Sequence, residues 1–355
     1  TPARENMFLF GPDYFSTHLV LIVHKDNMSI NSVQKLTECK ALIPKGASYQ
    51  ETLNALRKGY PGMGLEITEN LSIEQVIEKV ALKEYSCTIA DENIFEINQR
   101  FFPDLRTTAV LSDEEYFAWM IGREGNELNE KIHEWFEIFQ ESGRYDQVIH
   151  KYYGHTKEFD YVDVRTFHNK ILKVLPKYKK IFELAAEQTN LEWSLLAALA
   201  YQESHWKKYA KSPTGVRGIM MLTQKTASEV DVKNRLNPEE SILGGAKYLK
   251  KLIDRVPDTV HPDDKILFAL AAYNIGMGHI YDVRKVAGWF NKDPDSWMDI
   301  KSVLPLLSQK EYYKKLKYGY ARGQEPVDYV DRIINYKEIL DNFVGEYFAE
   351  PAKKK

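Results

Sequence analysis

At 355 residues, with 48 Lys and Arg against 51 Asp and Glu and a formal net charge of -3, the chain is longer than one hydrophobic core usually organises, and two domains are the default. Its hydrophobic fraction of 44% suits a soluble globular protein rather than a disordered or membrane one. The balance of charge asks for no polyanion, so nucleic acid is set aside as a partner.

No apolar run approaches the roughly 20 residues that span a bilayer. The longest candidates are Leu195 to Tyr201 and Leu267 to Tyr273. The sequence opens at Thr1 rather than Met, so an N-terminal piece is read as missing, and an export signal or lipid anchor in it would be invisible here. Cys39 and Cys87 are too few for a metal cluster, and the histidines lack ligand spacing, so neither metal nor cofactor is expected. The two cysteines read first as buried thiols; a disulfide is the alternative in an oxidising compartment.

Along the chain, Leu19 to His24 (LVLIVH) reads as a buried strand and Ala41 to Pro44 as a second, closed by Lys45-Gly46-Ala47-Ser48. Gln50 to Tyr60 reads as a helix, Leu65 to Thr68 as a strand, Ile73 to Lys83 as a helix with Val76, Ile77, Val80 and Ala81 inward, and Ser86 to Asp91 as a strand ending in an acid. Strands alternating with helices predict a parallel α/β sheet, whose ligands sit at the carboxyl ends of strands. Gly46 to Ser48 and Asp91 lie at such ends.

Asn126 to Ser142 and Tyr145 to Tyr153 read as helices, and the polar stretch Gly154 to Asp160 as the domain boundary. After it the pattern is helical throughout. Thr166 to Glu187 carries Ile171, Leu175, Tyr178 and Phe182 at helical spacing. Asn190 is expected to cap a helix over Trp193 to Glu203. Ser241 to Val256 and Lys265 to Tyr273 are further helices, and Pro351 to Lys355 a disordered tail.

The segment Leu195 to Trp206 (LLAALAYQESHW) runs an apolar helix straight into Glu203. A glutamate at a helix end is ordinarily solvated. Here the two preceding turns are nearly all apolar, so the helix end should lie at the floor of a cleft. Burial raises a carboxyl pKa, which a general acid near neutral pH requires. Ser212-Pro213-Thr214-Gly215-Val216-Arg217-Gly218-Ile219-Met220-Met221 fits a tight turn with backbone close to a ligand. Ala271-Ala272-Tyr273-Asn274 ends an apolar helix before Gly276. It reads either as a helix terminus with left-handed geometry or as an aromatic and an amide suited to a sugar ring and its acetamido group. Tyr329 and Tyr336 share one helical face; core packing explains Tyr336 well and Tyr329 less well.

In this order the set resembles the soluble lytic transglycosylase family, over about Val162 to Val344. The family's Glu-Ser, Gly-Leu-Met-Gln, Ala-Tyr-Asn and late Tyr read here as Glu203-Ser204, Gly218-Ile219-Met220-Met221, Ala272-Tyr273-Asn274 and Tyr329. Met221 stands where the family has Gln, which removes an amide. The resemblance implies a lysozyme-like helical fold and a peptidoglycan substrate. It implies one acid, Glu203, that protonates the glycosidic oxygen between N-acetylmuramic acid and N-acetylglucosamine. The same carboxylate then takes a proton from the muramic C6 hydroxyl, which closes a 1,6-anhydro ring on C1. Ser204, Ser212, Gly218, Met220, Met221, Tyr273, Asn274 and Tyr329 are the expected substrate-binding residues, with Tyr329 a partner for the acid. Asp231, Asp263 and Asp264 are the acids a two-carboxylate hydrolase would recruit. His205 is read as a surface or packing residue.

The first half resembles the periplasmic solute-binding family, in its amino-acid-binding branch. Thr1-Pro2-Ala3-Arg4, Lys45-Gly46-Ala47-Ser48, Ala90-Asp91 and Gly143 to Gly154 carry the likeness. It implies an α/β periplasmic-binding-protein-like domain, N-terminally truncated and lacking part of its first lobe. Arg4, Gly46, Ser48 and Asp91 would hold a regulatory ligand, a muropeptide or an amino acid; Arg4 is equally readable as a frayed terminus. The expected organisation is a regulatory domain over 1–154, a linker over 155–161, an all-α catalytic domain over 162–347 and a tail over 348–355. Such an enzyme is expected in the periplasm, attached to the outer membrane of a Gram-negative bacterium through a missing N-terminus. A muramidase on the same fold and a non-catalytic peptide or glycan receptor are the alternatives.

Overall fold

The computed structural model describes residues 6–46, 50–153 and 161–343. The chain divides into two compact units that part between residues 164 and 165, the second running to residue 343.

The first unit is built on seven strands: β1 (Phe8–Thr17), β2 (Leu19–His24), β3 (Lys40–Pro44), β4 (Gly64–Thr68), β5 (Cys87–Asp91), β6 (Leu105–Val110) and β7 (Glu115–Gly122). Five of them form one sheet in the order β4-β3-β5-β2-β6, and β1 pairs separately with β7, antiparallel. The apolar run of β2 follows from its place. Leu19, Leu21 and Val23 face one core with Ala41, Ile43 and Ile89, while Val20 and Ile22 face another with Ile77, Val80, Ala90 and Phe95. Side chains alternate along a strand, so a strand covered on both faces has no polar side to spare.

The sheet is mixed, which corrects the expected parallel one. β3 is parallel to β4 and β5, but β2 is antiparallel to both β5 and β6. A strand buried on both faces reads as the same apolar run in either direction, so the pattern carried no information on polarity. β1, β6 and β7 escaped the sequence reading because their exposed positions interrupt the apolar pattern. The helices of this unit are α1 (Gln50–Gly59), α2 (Ile73–Ala81), α3 (Glu92–Gln99), α4 (Asn126–Glu141) and α5 (Arg144–Tyr153). α2 starts on a capping box in which Ser72 and Gln75 satisfy each other's backbone N–H groups. Cys39 and Cys87 form a disulfide, so the reading of two free thiols is corrected. They stand at the starts of β3 and β5, which pair directly, with Ala41 opposite Cys87.

α6 (Tyr161–Lys173) leads into the second unit, where α7 (Lys179–Thr189), α8 (Trp193–Ser204), α9 (Gln224–Glu229), α10 (Pro238–Arg255), α11 (Pro262–Ile275), α12 (Met277–Trp289), α13 (Trp297–Val303), α14 (Lys310–Tyr313) and α15 (Gln324–Asp341) follow. The helix expected from 166 to 187 is two helices. Pro176 lies in a short 3₁₀ turn between them, where its missing N–H breaks the ladder. Asn190 is left-handed at φ 53° and closes α7; Glu192 takes the capping position of α8. α8 runs through the middle of the unit, packed against α7, α10 and α15, and α11 packs on α10, α12 and α15. Ser194 to Tyr201 are buried on every side of α8, so this helix shows almost no amphipathic stripe. No single helix among the described residues is long and apolar enough to cross a membrane.

Candidate active site

The apolar α8 delivers Glu203 to its own C-terminus. Two residues later the chain turns out through left-handed His205 and Trp206, at φ 52° and 58°. Trp206 folds back into the core and its Nε1 donates to the Ala197 carbonyl at 2.8 Å. Tyr201, Phe167, Trp206 and Tyr336 then form one aromatic cluster, with neighbouring ring centroids 4.4 to 5.6 Å apart. This anchors the helix end from below, and His205 stacks on Tyr201 outside it.

Glu203 is partly buried, and its Oε1 accepts a hydrogen bond from the Tyr329 hydroxyl of α15. Burial raises its pKa to about 7 from an ordinary 4.5, against the pull of the Tyr329 bond, which favours the charged form. The carboxyl therefore holds its proton up to about pH 7, far above an ordinary glutamate. Tyr329 is 5% exposed, and its hydroxyl is pushed well above the ordinary range by burial and then by the Glu203 charge. It stays a neutral donor. Tyr273 behaves alike, shifted upward by burial, by Glu203 and by Tyr248. That electrostatic coupling places Glu203, Tyr273 and Tyr329 in one site.

The loop after α8 is held through its backbone by the residues that flank this acid. The Ser204 hydroxyl lies 2.7 Å from the Ile219 carbonyl and 3.1 Å from that of Ala200, and donates within the protein rather than to solvent. The Tyr273 hydroxyl donates to the Met220 carbonyl at 2.9 Å. The Met220 N–H reaches the Ser241 hydroxyl at 3.3 Å. Residues 218–221 are thus held from α8, α10 and α11 together. Gly218 sits at φ 88°, and a Cβ there would meet the Arg235 carbonyl oxygen at 1.8 Å, so no other residue fits. The Met220 side chain is fully buried against Gly245, so only its backbone can serve a substrate. Met221 turns left-handed at φ 47° and is partly exposed. Ser212 is partly buried in a turn, its hydroxyl 2.8 Å from that of Thr214. Asn274 Oδ1 is buried with no hydrogen-bond partner among the described residues.

The other acids lie elsewhere in structure. Asp231 is exposed in a turn, and Asp263 is almost wholly exposed in the first turn of α11. Asp264 accepts the Trp297 N–H at 2.9 Å. None has a described contact with Glu203. Three residues that sequence reading did not single out support the site. Ser241 holds Met220; Arg235 holds the Gly215 and Leu222 carbonyls at 3.0 and 2.8 Å; Tyr248 packs edge-on against Tyr273, with centroids 5.3 Å apart. Tyr248 lies in Gly245-Ala246-Lys247-Tyr248-Leu249, a segment that fits the resemblance in sequence, but nothing in it marked Tyr248 as a partner of Tyr273.

In the first unit, Asp91 is 5% exposed at the end of β5 and heads α3 without a side-chain capping bond. Burial, then the charge of Glu115, raises its pKa to about 6. Gly46 is left-handed at φ 78° in the turn after β3, with open space where a Cβ would stand. Arg4 and Ser48 lie outside the described residues. A cavity of about 570 Å³ is lined by Thr52, Val110, Leu111, Ser112, Asp113, Glu114 and Glu115.

The all-α, lysozyme-like unit is a transglycosylase domain of the SLT type: the family model described as "Transglycosylase SLT domain" matches residues 180–296. The curated relatives extend the match over nearly the whole chain. A membrane-bound lytic murein transglycosylase F of Shewanella baltica is 42% identical over 341 residues, 96% of this chain and 71% of the relative. One of Aliivibrio fischeri is 40% identical over 349 residues, 98% of this chain and 70% of the relative. The chain belongs to the membrane-bound lytic murein transglycosylase F family. The first unit is also similar to solved structures of amino-acid-binding proteins. The Streptococcus pneumoniae protein AbpA bound to L-arginine is 21% identical, over 45% of this chain and 66% of that one, with a TM-score of 0.39. A mutant of ArgBP from T. maritima is 18% identical over 43% of this chain, with a TM-score of 0.39; the match spans 65% of that protein's length.

Proposed function

We propose that Glu203 is the sole catalytic acid and base of a peptidoglycan lytic transglycosylase. The observation that carries this reading is the pairing of a partly buried carboxyl, its pKa at about 7, with a neutral phenol donor at Tyr329. Protonated Glu203 gives its proton to the β-1,4 glycosidic oxygen between N-acetylmuramic acid and N-acetylglucosamine. The resulting carboxylate, steadied by Tyr329, takes the proton of the muramic C6 hydroxyl as that oxygen bonds to C1. The C1–O4 bond breaks, a 1,6-anhydro ring forms, and Glu203 ends protonated as it began. No water is consumed, so no second carboxylate is required. The isolation of Asp231, Asp263 and Asp264 favours this over a muramidase mechanism. Asn274 offers an unpaired amide oxygen to an acetamido N–H, and the carbonyl-lined turn at Gly218 to Met221 offers backbone groups to the glycan. Ser204 acts by holding that turn, and Ser212 and Tyr273 line its approaches.

The first unit reads as a regulatory domain for an amine-bearing effector, a cell-wall peptide or an amino acid. Asp91 is a buried acid with no cation beside it among the described residues, and Asp113, Glu114 and Glu115 line a nearby acidic cavity, chemistry suited to an ammonium group. The proposed location is the Gram-negative periplasm, at the outer membrane, a reading supported by the membrane-bound relatives. Digestion of purified sacculi, with Glu203→Gln in parallel and products read by mass spectrometry, tests the reaction. Anhydromuramyl products from the parent alone are expected; reducing-end products would replace the mechanism by hydrolysis. Calorimetry with muropeptides and free amino acids tests the effector, and an absence of heat from all of them would remove it.

A further inference from the structure

The second unit carries a surface that the catalytic site does not use. α12 ends on Trp289 and Phe290 follows; both are exposed, at 40% and 43%. A lone exposed aromatic is ordinary. These two are adjacent, and Tyr312 of α14 packs beside both, with its centroid 6.4 Å from that of Trp289 and 5.7 Å from that of Phe290. Two ammonium groups stand over the Trp289 ring, Lys285 at 5.9 Å and Lys315 at 6.0 Å from its centroid. Lys314 and Lys317 are exposed alongside Lys315.

Among the described residues, Lys285, Lys314, Lys315 and Lys317 form no ion pair with an acid. Glu311 is the only acid between Lys310 and Arg322, a stretch that also holds Lys314, Lys315 and Lys317. Of the acids nearby in sequence, Glu325 pairs with Arg322 and Asp293 accepts the Asp295 N–H. Asp282 is buried and accepts the Lys317 and Tyr318 N–H groups at 3.2 and 2.8 Å, Asp295 pairs with Arg284, and Asp299 pairs with Lys292. A chain with a net charge of -3 therefore concentrates uncompensated lysines around exposed aromatic rings.

We propose that this face docks on an anionic membrane surface. Trp289 and Phe290 would sit at the headgroup boundary, and Lys285, Lys314, Lys315 and Lys317 would meet the anionic headgroups. Aromatic rings with one apolar and one polar aspect favour that boundary, and lysine stems lie along apolar surface while their ammonium groups reach out. Lysines near an anionic leaflet each add to binding, and the aromatics supply the apolar part. A sugar-stacking platform fits less well. Stacking needs a bare ring face, and the Trp289 face already meets two ammonium groups.

The test uses the full chain and sedimentation with vesicles of phosphatidylcholine alone, or of phosphatidylcholine mixed with phosphatidylglycerol. Co-sedimentation is expected with the mixed vesicles only, and should fall as salt is added. Replacing Lys285, Lys314, Lys315 and Lys317 together by Gln should weaken it on the order of 1,000-fold. Trp289→Ala should weaken it at constant charge. Both variants should keep the parent's activity on solubilised glycan fragments, which shows that they fold. If the parent ignores the anionic vesicles, or the quadruple variant binds them as well as the parent does, the proposal is overturned. Failure to bind vesicles, with retention on insoluble sacculi that the same substitutions abolish, would overturn it in favour of a glycan surface. None of these outcomes depends on the role of Glu203.

Discussion

The Tyr329 hydroxyl donates to Oε1 of Glu203 from a helix 126 positions further along the chain. Two opposed influences meet on this carboxyl. Burial drives its pKa up and the phenol draws it down, and burial prevails, leaving it at about 7. A carboxyl at that value populates both its protonated and its charged form near neutral pH, which a group proposed to act first as acid and then as base requires. On the proposed mechanism the phenol matters most in the middle of the reaction, when Glu203 is charged.

Tyr329→Phe separates these influences. Without the phenol, burial acts unopposed, so the Glu203 pKa rises and the alkaline limb of the pH–rate profile moves to higher pH. Turnover falls, on the order of 100-fold, because the transient carboxylate loses its donor. The rate of anhydromuropeptide release across pH measures both. A lower rate with an unmoved limb would mean that Tyr329 serves packing alone.

Glu203 also burdens the fold. Its folded pKa, about 7, lies above the ordinary 4.5, so the folded state holds the proton more tightly than the unfolded chain does. Its contribution is fully present below about pH 4.5 and is lost as pH rises through about 7. Glu203→Gln has no such loss. The variant should exceed the parent in stability by roughly 2–3 kcal/mol at about pH 8, and match it near pH 4. Thermal unfolding at the two pH values decides it; an equal gap at both would point to packing instead of ionisation.

Much of this site was legible in sequence, for a physical reason. An apolar helix that ends in an acid, a glycine before apolar residues, and a Tyr-Asn pair at a helix end are local patterns, and each keeps its meaning without knowledge of its neighbours. What was hidden was non-local. Nothing in Ser241, Arg235 or Tyr248 shows that they brace Met220, Gly215 and Tyr273, because those contacts exist only after α10 packs. Sheet polarity was hidden for a similar reason, since β2 is covered on both faces and its alternation vanishes. Asn190 misled because a left-handed terminus and a helix start favour the same residue, and only the backbone at φ 53° separates them.

Gly218 fixes the turn that faces the acid. At φ 88°, with the Arg235 carbonyl oxygen 1.8 Å from any Cβ, Gly218→Ala must push apart two backbone segments. A loss of about 2–4 kcal/mol is expected, together with displaced Ile219 and Met220 carbonyls and so a deeper loss of turnover than of fold. Gly46→Ala is the contrast. It shares the left-handed backbone but meets open space, so a cost of about 1 kcal/mol is expected. Parallel melting curves rank the two, and equal losses would mean that backbone angle, not the collision, sets the cost.

The Cys39–Cys87 disulfide should act on the first unit alone. It closes a loop across 48 positions, which in the chain-entropy account is worth about 4 kcal/mol. Both sulfur-bearing residues are buried, at 3% and 0% exposure, so a reductant must wait for the unit to open. Replacing both by Ala should lower the unfolding midpoint of the α/β unit and make it insensitive to reductant. The helical unit, with its core around α8, should melt where it did before. Calorimetry with and without reductant reads both transitions. A single transition that moves as a whole would show instead that the two units unfold together, and the stabilisation of the disulfide would then reach Glu203 as well.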